Sequence, residues 1–503
     1  MMKKSKNRIL LFGLAFFCVL LSFSQDITID GGTVKCPAPL AAGYTKPIGP
    51  KTYHVVDLAS LQSVINTGSY DVGAGTVTPT DLSCVCTTQI TNMSSLFSGK
   101  QSFNDNISNW DVSNVTNMNN MFNNALAFNQ DISSWDVSNV NNMQQMFENA
   151  RSFNQNIDVW DVSSVTNMIS MFKNASQFNQ PIASAPNRWN VSNVQYFSSF
   201  LKDATSFNQP FEWGGADGTV SAINMWGMFR SNSLNSPITL NTNNVTNMET
   251  MFEDATAFNS ALNFSNTSNV TKMNFMFKNA RAFDQPLNFN TSSVIGMREM
   301  FNHAHAFNQN INNWDVSNVT LFRATFANTN QFNQPLNNWN TGSAVNMQSM
   351  FQNAKVFNQP IDNFNTQNVK NMLATFKNAK DFNQDLNSWD VSSVTNMQSL
   401  FEDANDFNGD VSSWDVSSVL NMSSLFNDAL IFDKDITGWN TSSVNNMIYM
   451  FRNADQFDQN INVWDVSNVR RFGGMFYNAN IFNQDLNLWN TSNAEEMHLM
   501  FQG

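Results

Sequence analysis

Charged residues are scarce in this 503-residue chain, at 13%, and basic residues are scarcer than acidic ones. Lysine and arginine together number 26 against 39 aspartates and glutamates, which gives a formal net charge of −13. A nucleic-acid partner needs a surplus of basic residues, so the composition excludes one, and it disfavours anionic membrane surfaces. Multivalent cations, basic proteins and neutral glycans remain open as partners.

Histidine and cysteine are rare, with four of each. His303 and His305 form the one conceivable pair of metal ligands in the sequence, and no cysteine or third histidine accompanies them. Nothing in the sequence resembles a nucleophile triad, a phosphate-binding loop or a nucleotide fingerprint. We therefore expect no catalytic site and no metal site or cofactor of the usual kinds.

Three cysteines, Cys36, Cys84 and Cys86, lie beyond the apolar N-terminal segment that contains Cys18. An oxidising compartment permits a disulfide between Cys36 and either Cys84 or Cys86, because a bond within Cys-Val-Cys would be strained. Three unpaired thiols are the alternative.

Long apolar runs are absent after residue 23, and none approaches the roughly 18–20 residues that span a bilayer. The run at 9–23 follows four basic residues and ends in small residues, which is typical of a signal peptide at 1–24. Cys18 lies inside that run and not at its end, so we expect no lipid anchor. The sequence predicts a secreted or cell-surface protein with no transmembrane segment in the mature chain.

The chain is rich in Phe, Met and Trp, with 44, 27 and 13 of these residues, and they recur in tandem units of about 25 residues. A fixed period in this range indicates stacked structural repeats. Aligned phenylalanines mark about seventeen units: Phe97, Phe122, Phe147, Phe172, Phe200, Phe229, Phe252, Phe277, Phe301, Phe326, Phe351, Phe376, Phe401, Phe426, Phe451, Phe476 and Phe501.

The unit at 132–153 shows two apolar periods. Alternation across Trp135-Asp136-Val137 predicts a short strand. Apolar residues from Val140 to Phe153 recur at three and four, which predicts a short helix with an N-cap at Ser138 or Asn139. Stacking of such units predicts an α/β solenoid with one short parallel strand and one short helix in each repeat.

The repeat WDVSNVTNMxxMFxxAxxFNQDIS, as in 110–132 and 389–411, resembles the hallmark repeat of the BspA-like bacterial surface proteins. The domain of that family was long labelled as of unknown function. The resemblance covers residues 81–503 and implies a leucine-rich-repeat-like superhelix. It also implies a role in adhesion or in binding host or matrix components, without catalytic residues.

We expect three segments: a signal peptide at 1–24, an N-terminal cap region at 25–80, and the tandem repeats at 81–503. The repeats are irregular at 184–239. The cap region contains an N-cap at Asp57 and helical apolar spacing that ends near Gly68. The last unit stops at Gly503 where earlier units continue, so we expect it to be truncated.

An acidic or amide residue follows the tryptophan of most units. In a parallel stack, side chains of adjacent repeats would lie about 4.8 Å apart. A ladder of carboxylates could then hold Ca²⁺, although a solvated polar face is the simpler interpretation. The candidate ladder consists of Asp111, Asp136, Asp161, Asp390 and Asp415.

The irregular segment is where the sequence departs most from the repeat. Trp226 lies between two methionines at a variable position, and we expect this position to face solvent. Trp213 precedes it in the same irregular segment. Exposed aromatics near arginine suit a sugar or protein ligand, so Trp213, Trp226, Arg188 and Arg230 form a candidate binding patch. A decayed repeat with a harmless loop is the alternative.

These features predict a non-catalytic surface or secreted protein that binds an extracellular protein, matrix or glycan ligand. A polysaccharide-processing enzyme on a parallel solenoid and a purely structural spacer are the alternatives. Catalytic carboxylates need one environment that separates two pKa values, whereas these aspartates recur in near-identical surroundings.

Overall fold

A computed structural model describes residues 26–503 apart from 39, 72–75, 79–80 and 185–187. The expected signal peptide at 1–24 lies outside the described residues. The named elements in chain order are β1 Thr28–Asp30, β2 Thr33–Lys35, β3 Thr45–Ile48, β4 Lys51–Val55, α1 Leu58–Thr67, β5 Tyr70–Asp71, β6 Thr76–Val77, a 3₁₀ helix Leu82–Cys84, β7 Val85–Cys86, β8 Phe211–Trp213, β9 Ile238–Leu240 and β10 Leu262–Phe264.

The strands form small sheets. β1 pairs with β2, β3 with β4, and β5 with β6, all antiparallel, and β4 also pairs with β7 in parallel. β8, β9 and β10 form a parallel sheet that begins in the irregular segment at 184–239 and continues into the repeat after it. Across the part of the chain that is described, no helix combines the length and apolar character needed to cross a bilayer.

The helix expected after Asp57 is present as α1. The Asp57 carboxylate accepts the N–H of Ser60 at 2.8 Å, and Gly68 ends the helix in the left-handed region at φ 78°. Leu61 and Val64 are buried in the apolar core that the first repeats share. Helix α1 therefore covers apolar surface at the start of the stack.

A disulfide joins Cys36, just after β2, to Cys86 in β7. Cys84 is buried and lies outside this bond. The disulfide belongs to a second, smaller core with Val34 and Val55. It links the N-terminal hairpin covalently to the segment that leads into the repeats.

Backbone hydrogen bonds join each repeat to the next. Asn142 makes parallel bridges to Asn117 in the preceding repeat and to Asn167 in the following one. Seventeen residues from Asn92 to Glu496 form one continuous series of such bridges, mostly 25 residues apart. Each repeat is thus one coil of a stack.

Further hydrogen bonds extend the bridges; beside the Asn142–Asn167 bridge there are four, with N···O distances of 2.8–3.0 Å. They leave one coil at alternate residues and end on carbonyl oxygens of the next coil, so they form a parallel ladder. In one repeat they run from Met143 to Asn167, from Gln145 to Ile169, from Phe147 to Met171 and from Asn149 to Lys173.

The prediction of a short helix in each repeat is wrong. The segment from Met143 folds into consecutive turns, in which Met146 donates to the Met143 carbonyl and Ala150 to the Phe147 carbonyl. Gln145 and Asn149 have φ of 56° and 60°, in the left-handed region that an α-helix does not use. Within the described residues, α1 is the one α-helix.

The physical reason lies in the backbone donors. In an α-helix each N–H bonds four residues back within the same segment. Here alternate N–H groups bond the next coil, and asparagine at the second left-handed position adopts that conformation at low cost. Long-range pairing therefore replaces the helix.

The prediction of a strand at Trp135–Val137 is also wrong. Trp135 donates its N–H to Ile132 at 3.1 Å, and Val140 donates to Val137 at 2.9 Å, so turns occur here too. Asp136 accepts the N–H of Ser138, which bends the chain locally. The inward direction of Trp135 and Val137 and the outward direction of Asp136 are as predicted.

Aromatic columns run through the core along the stack. The Phe147 ring lies 5.5 Å from Phe122 and 5.6 Å from Phe172, nearly parallel to both. A second column contains Phe153, whose ring is 4.0 Å from that of Phe147. Each repeat thus covers the apolar face of its neighbour, as repeat proteins require.

The aligned phenylalanine at 200 is one residue out of register. Phe172 donates its N–H to the carbonyl of Phe200, whereas Phe147 donates to the carbonyl of Met171. Phe200 therefore occupies a methionine position, and Leu201 takes the phenylalanine position. Because the repeat spacing is irregular here, aligning the sequence on phenylalanine pairs Phe200 with the wrong position of the other repeats.

Candidate functional site

The outer side of the hydrogen-bond ladder carries side chains that differ between repeats. We define the variable face as the two positions after the first methionine of each repeat and the position after its phenylalanine. In the repeat above, these are Gln144, Gln145 and Glu148. The methionines and phenylalanine between them are fully buried.

The same positions hold unlike residues in other repeats. Gln144, Gln145 and Glu148 correspond to Trp226, Gly227 and Arg230; to Asn274, Phe275 and Lys278; to Arg298, Glu299 and Asn302; and to Ile448, Tyr449 and Arg452. The residues at the core positions are nearly constant, whereas those on the variable face differ. The repeats are therefore distinguished mainly by their variable-face residues.

Ion pairs connect neighbouring repeats across the variable face. Four of them join Lys173 to Glu148 at 2.7 Å, Arg230 to Glu253 at 3.1 Å, Lys278 to Glu299 at 2.7 Å, and Lys377 to Glu402 at 2.9 Å. Pairs of this kind hold long side chains in place along the stack.

Two of these carboxylates have pKa values that shift in opposite directions. Burial raises the pKa of Glu253, and the nearby Arg230 only partly offsets that effect. Burial also acts on Glu299, but its hydrogen bond with Lys278 and the surrounding positive charge outweigh burial and lower its pKa. The two carboxylates thus have different electrostatic surroundings, with more stabilising positive charge around Glu299 than around Glu253.

Aromatic residues on this face lie against cations. Lys202 lies over the Trp226 ring at 5.9 Å, and both Lys278 and Arg298 lie 5.1 Å from the centre of the Phe275 ring. Arg452 lies between two tyrosines at 5.3 and 5.4 Å. These distances are typical of cation–π contacts.

The expectation of an exposed Trp213 is wrong, because this residue is 0% exposed. It lies in β8, where Phe211 and Trp213 face the core and Glu212 faces outward. Strand pairing aligns Trp213 with Leu240, which aligns in turn with Phe264. Trp213 therefore belongs to the inner column that tryptophans occupy in regular repeats.

The other three residues of the candidate patch are half-buried, and their role in binding stays a prediction. Arg188 makes a bidentate ion pair with Asp217, in which Nη2 donates to Oδ1 at 2.7 Å and Nε donates to Oδ2 at 3.1 Å. Arg230 pairs with Glu253 in the next repeat. Trp226 lies on the variable face, as its position in the sequence predicts.

Regular tryptophans also bond the preceding repeat. The Trp135 indole N–H donates to the carbonyl of Ile107 at 3.2 Å, and the Trp160 indole donates to Ile132 at 3.1 Å. The buried indole nitrogen of Trp213 has no acceptor within the described residues. Comparing Trp135 with Trp213 therefore shows how much of a tryptophan's contribution to stability comes from the indole hydrogen bond and how much from burial of the ring.

We expect Trp135→Phe to lower the free energy of unfolding by about 0.5–1.5 kcal/mol more than Trp213→Phe does. Both substitutions shorten a buried ring, but only the first removes an indole hydrogen bond, the one to the Ile107 carbonyl, which then keeps only the backbone N–H of Trp110 as its donor. Urea unfolding followed by far-ultraviolet circular dichroism measures the difference. Equal losses would contradict a stabilising role for the indole hydrogen bond.

The five aspartates of the candidate cation ladder serve local turns. Asp136 accepts the N–H and the hydroxyl of Ser138, and Asp390 does the same with Ser392. Asp161 and Asp415 each accept the N–H of the serine two residues on. Over the described ranges, no three or more His, Cys, Asp or Glu residues are grouped to hold a metal, so the structure gives no support to a Ca²⁺ ladder.

Asp111 differs from the other aspartates because it is only 2% exposed. Its carboxylate pairs with Lys35 at 2.9 Å and accepts hydrogen bonds from Ser113. Burial alone would raise its pKa, but hydrogen bonds from Thr88, Ser113 and Lys35 outweigh burial and hold the pKa below its usual value. Asp111 thus anchors the N-terminal hairpin to the first repeats.

An asparagine column that sequence analysis missed stabilises the stack. The Asn154 N–H donates to the side-chain oxygen of Asn129, and the Asn179 N–H donates to that of Asn154, both at 2.9 Å. The Gln155 amide also reaches Asn129. The recurrence of Phe-Asn-Gln in the sequence was the available signal for this column.

The family model described as "Mycoplasma protein of unknown function, DUF285" matches six overlapping segments, at 72–184, 139–230, 215–288, 287–380, 331–437 and 407–503. These segments cover most of the chain. The chain belongs to the DUF285 family. This assignment confirms the resemblance to BspA-like repeats, and the description of DUF285 names no catalytic activity.

Among the solved structures that are similar is a leucine rich cell surface protein from Faecalibacterium prausnitzii A2-165, which is 12% identical and has a TM-score of 0.37. The alignment covers 78% of the DUF285 chain and 97% of the other chain. No curated protein matches.

Proposed function

We propose that this protein is an exported, non-catalytic binding protein that presents its variable face to an extracellular protein, matrix or glycan ligand. In this proposal the coils form a leucine-rich-repeat-like solenoid, with the repeats at 81–503 and a cap before them. The observation that carries the proposal is the contrast, within the same ladder, between constant positions that are fully buried and variable-face positions that hold unlike residues and are mostly half-buried.

The constant positions supply all that stacking requires. Phenylalanine columns, indole hydrogen bonds and the asparagine column join neighbouring coils whatever the outer side chains are. The variable face is therefore free to differ in charge and shape without loss of the fold. Proteins use such rigid scaffolds to hold binding residues in fixed positions.

Two aromatic residues on this face argue against a purely structural spacer. Phe275 and Tyr449 have φ of 60° and 54°, where a bulky side chain is unfavourable. Equivalent positions hold serine at Ser349 and Ser399. Both side chains are half-buried. Backbone strain at these variable positions indicates a functional demand that stacking does not supply.

An enzymatic function has less support. The aspartates that follow tryptophan recur in the same Asp-x-Ser turn, so no pair of them has the singular environment that acid–base catalysis needs. The description of the matched family names no reaction. A polysaccharide-processing activity therefore remains only as an alternative outcome of the test.

The test is binding of purified residues 25–503 to glycan arrays and matrix proteins, with and without Ca²⁺. We expect at least one ligand, and we expect Phe275→Ser with Tyr449→Ser to weaken it about tenfold, which corresponds to about 1.4 kcal/mol. The control is Val159→Ser with Val463→Ser, since both valines are 60% exposed and lie off the variable face.

Three results would contradict the proposal. The first is no ligand in any condition, and the second is equal weakening by the control pair. The third is cleavage of a polysaccharide on the array, which would establish an enzyme instead.

A further inference from the structure

Cations gather on one part of this acidic chain. We define the basic strip as Lys278, Arg281, Arg298 and Arg323, which lie in three consecutive repeats. Among these repeats, Arg298 and Arg323 occupy the same variable-face position, and the Glu299 N–H donates to the Arg323 carbonyl at 2.8 Å. The strip therefore follows the direction of the stack.

The positive charge of the strip is only partly neutralised. Glu299 pairs with both Lys278 and Arg298, at 2.7 and 3.4 Å. Within the described residues, Arg281 and Arg323 form no ion pair with a carboxylate. Four cations thus share one paired carboxylate in a chain whose net charge is −13.

Phe275 holds two of these cations without neutralising them. Lys278 and Arg298 both lie 5.1 Å from its ring centre. The neighbouring repeats place Thr250 and Glu299 at the same position, and a second glutamate here would cancel the charge that the ring leaves available. The ring occupies this position despite its positive φ of 60°.

Besides burial, the basic residues around His303 lower its pKa, which is a second sign of positive charge in this area. Burial lowers its pKa, and the nearby His305, Arg281 and Lys278 lower the pKa further, against the opposing effect of Glu299. The two histidine rings lie 5.6 Å apart, edge to face. Basic side chains from two neighbouring repeats therefore act on one small area of surface.

We propose that the basic strip binds an acidic polysaccharide, a linear chain that carries sulfate or carboxylate groups. Arginine guanidinium groups bind such anions through paired hydrogen bonds. The strip is narrow, and Glu249 and Glu253 lie in the repeat before it, where they repel a broad acidic protein surface. This inference rests on the function proposed above and names the ligand class for one part of the variable face.

The probes are heparin for sulfate, hyaluronan for carboxylate, poly-glutamate for an acidic peptide, and dextran as the neutral control. We expect residues 25–503 to bind heparin or hyaluronan more tightly than poly-glutamate and to ignore dextran. Affinity measured by calorimetry should fall as the salt concentration rises. Binding releases counterions from the polyanion, and this release is less favourable when the solution already contains more salt.

Substitutions within the basic strip test whether it is the site that binds the polysaccharide. Arg298→Gln with Arg323→Gln should weaken the polysaccharide about tenfold or more and reduce the salt dependence, since two charge contacts are lost. Phe275→Ser keeps every charge, and we expect it to weaken binding by about two- to fivefold through loss of the cation platform.

The matched control is Arg151→Gln with Lys380→Gln, which removes the same charge from exposed positions outside the strip. It should leave the affinity unchanged, and the urea midpoints of all variants should agree with that of the parent chain. If the control variant lost as much affinity as Arg298→Gln with Arg323→Gln, the basic strip would not be the binding site. If poly-glutamate bound more tightly than the polysaccharides, the ligand would not be an acidic polysaccharide. If no polyanion binds but an array ligand does, this inference fails while the proposed function stands.

Discussion

Replacing Phe147 with alanine is expected to lower the free energy of unfolding by about 3–5 kcal/mol. The ring is fully buried, and its centre lies 5.5 Å from Phe122, 5.6 Å from Phe172 and 4.0 Å from Phe153. The substitution leaves a cavity that three repeats line. Urea unfolding at fixed pH measures the loss.

Because each repeat contacts only its neighbours, the damage should also be local. Amide hydrogen exchange should accelerate first in the repeats on either side of Phe147. Phe275→Ala is the control, since the equivalent positions hold Ala324 and Ala374 with φ of 53° and 55°. We expect it to change stability by about 0.5 kcal/mol or less. Equal losses at the two positions would contradict the assignment of core and face.

Gln145→Pro should destabilise the protein by about 3 kcal/mol or more. Proline fixes φ near −65°, whereas Gln145 has φ of 56°. Proline also removes the N–H that donates to the Ile169 carbonyl at 2.8 Å and so breaks the ladder between two repeats. Urea unfolding and hydrogen exchange at the neighbouring ladder amides measure the effect.

Gln145→Gly is the control that tests the turn ladder itself. Gly227 and Gly474 occupy the same position with φ of 58° and 59°, so glycine fits this backbone and keeps the N–H. We expect a change of about 0.5 kcal/mol or less. In an α-helix the same substitution would cost about 1 kcal/mol, and that result would favour the helical interpretation of the segment.

The inward residues of each repeat could be predicted because the apolar spacing records them directly. Val140, Met143, Phe147 and Phe153 are fully buried, as the spacing indicates. The fold of the segment could not be predicted from the same spacing. Consecutive turns that close after three residues place apolar side chains inward at three and four, as one face of a helix also does.

The candidate site divides in the same way. Trp226 lies on the variable face because its position in the repeat fixes its direction. Trp213 was misassigned, because its insertion hides the strand pairing that carries it into the core beside Leu240. The contacts of Phe275 with Lys278 and Arg298 involve a neighbouring repeat, so a single repeat does not reveal them.

The sequence by itself determined the 25-residue period, the family, helix α1 and the division between buried and outer positions, because these depend on local residue patterns. Only the tertiary structure decided that the regular repeats consist of turns joined by a parallel ladder, rather than of one strand and one helix each. It also decided that Asp136 and its equivalents cap local turns, and which outer side chains meet. Those features depend on hydrogen bonds and contacts between repeats about 25 residues apart, and such pairing energies override local propensity.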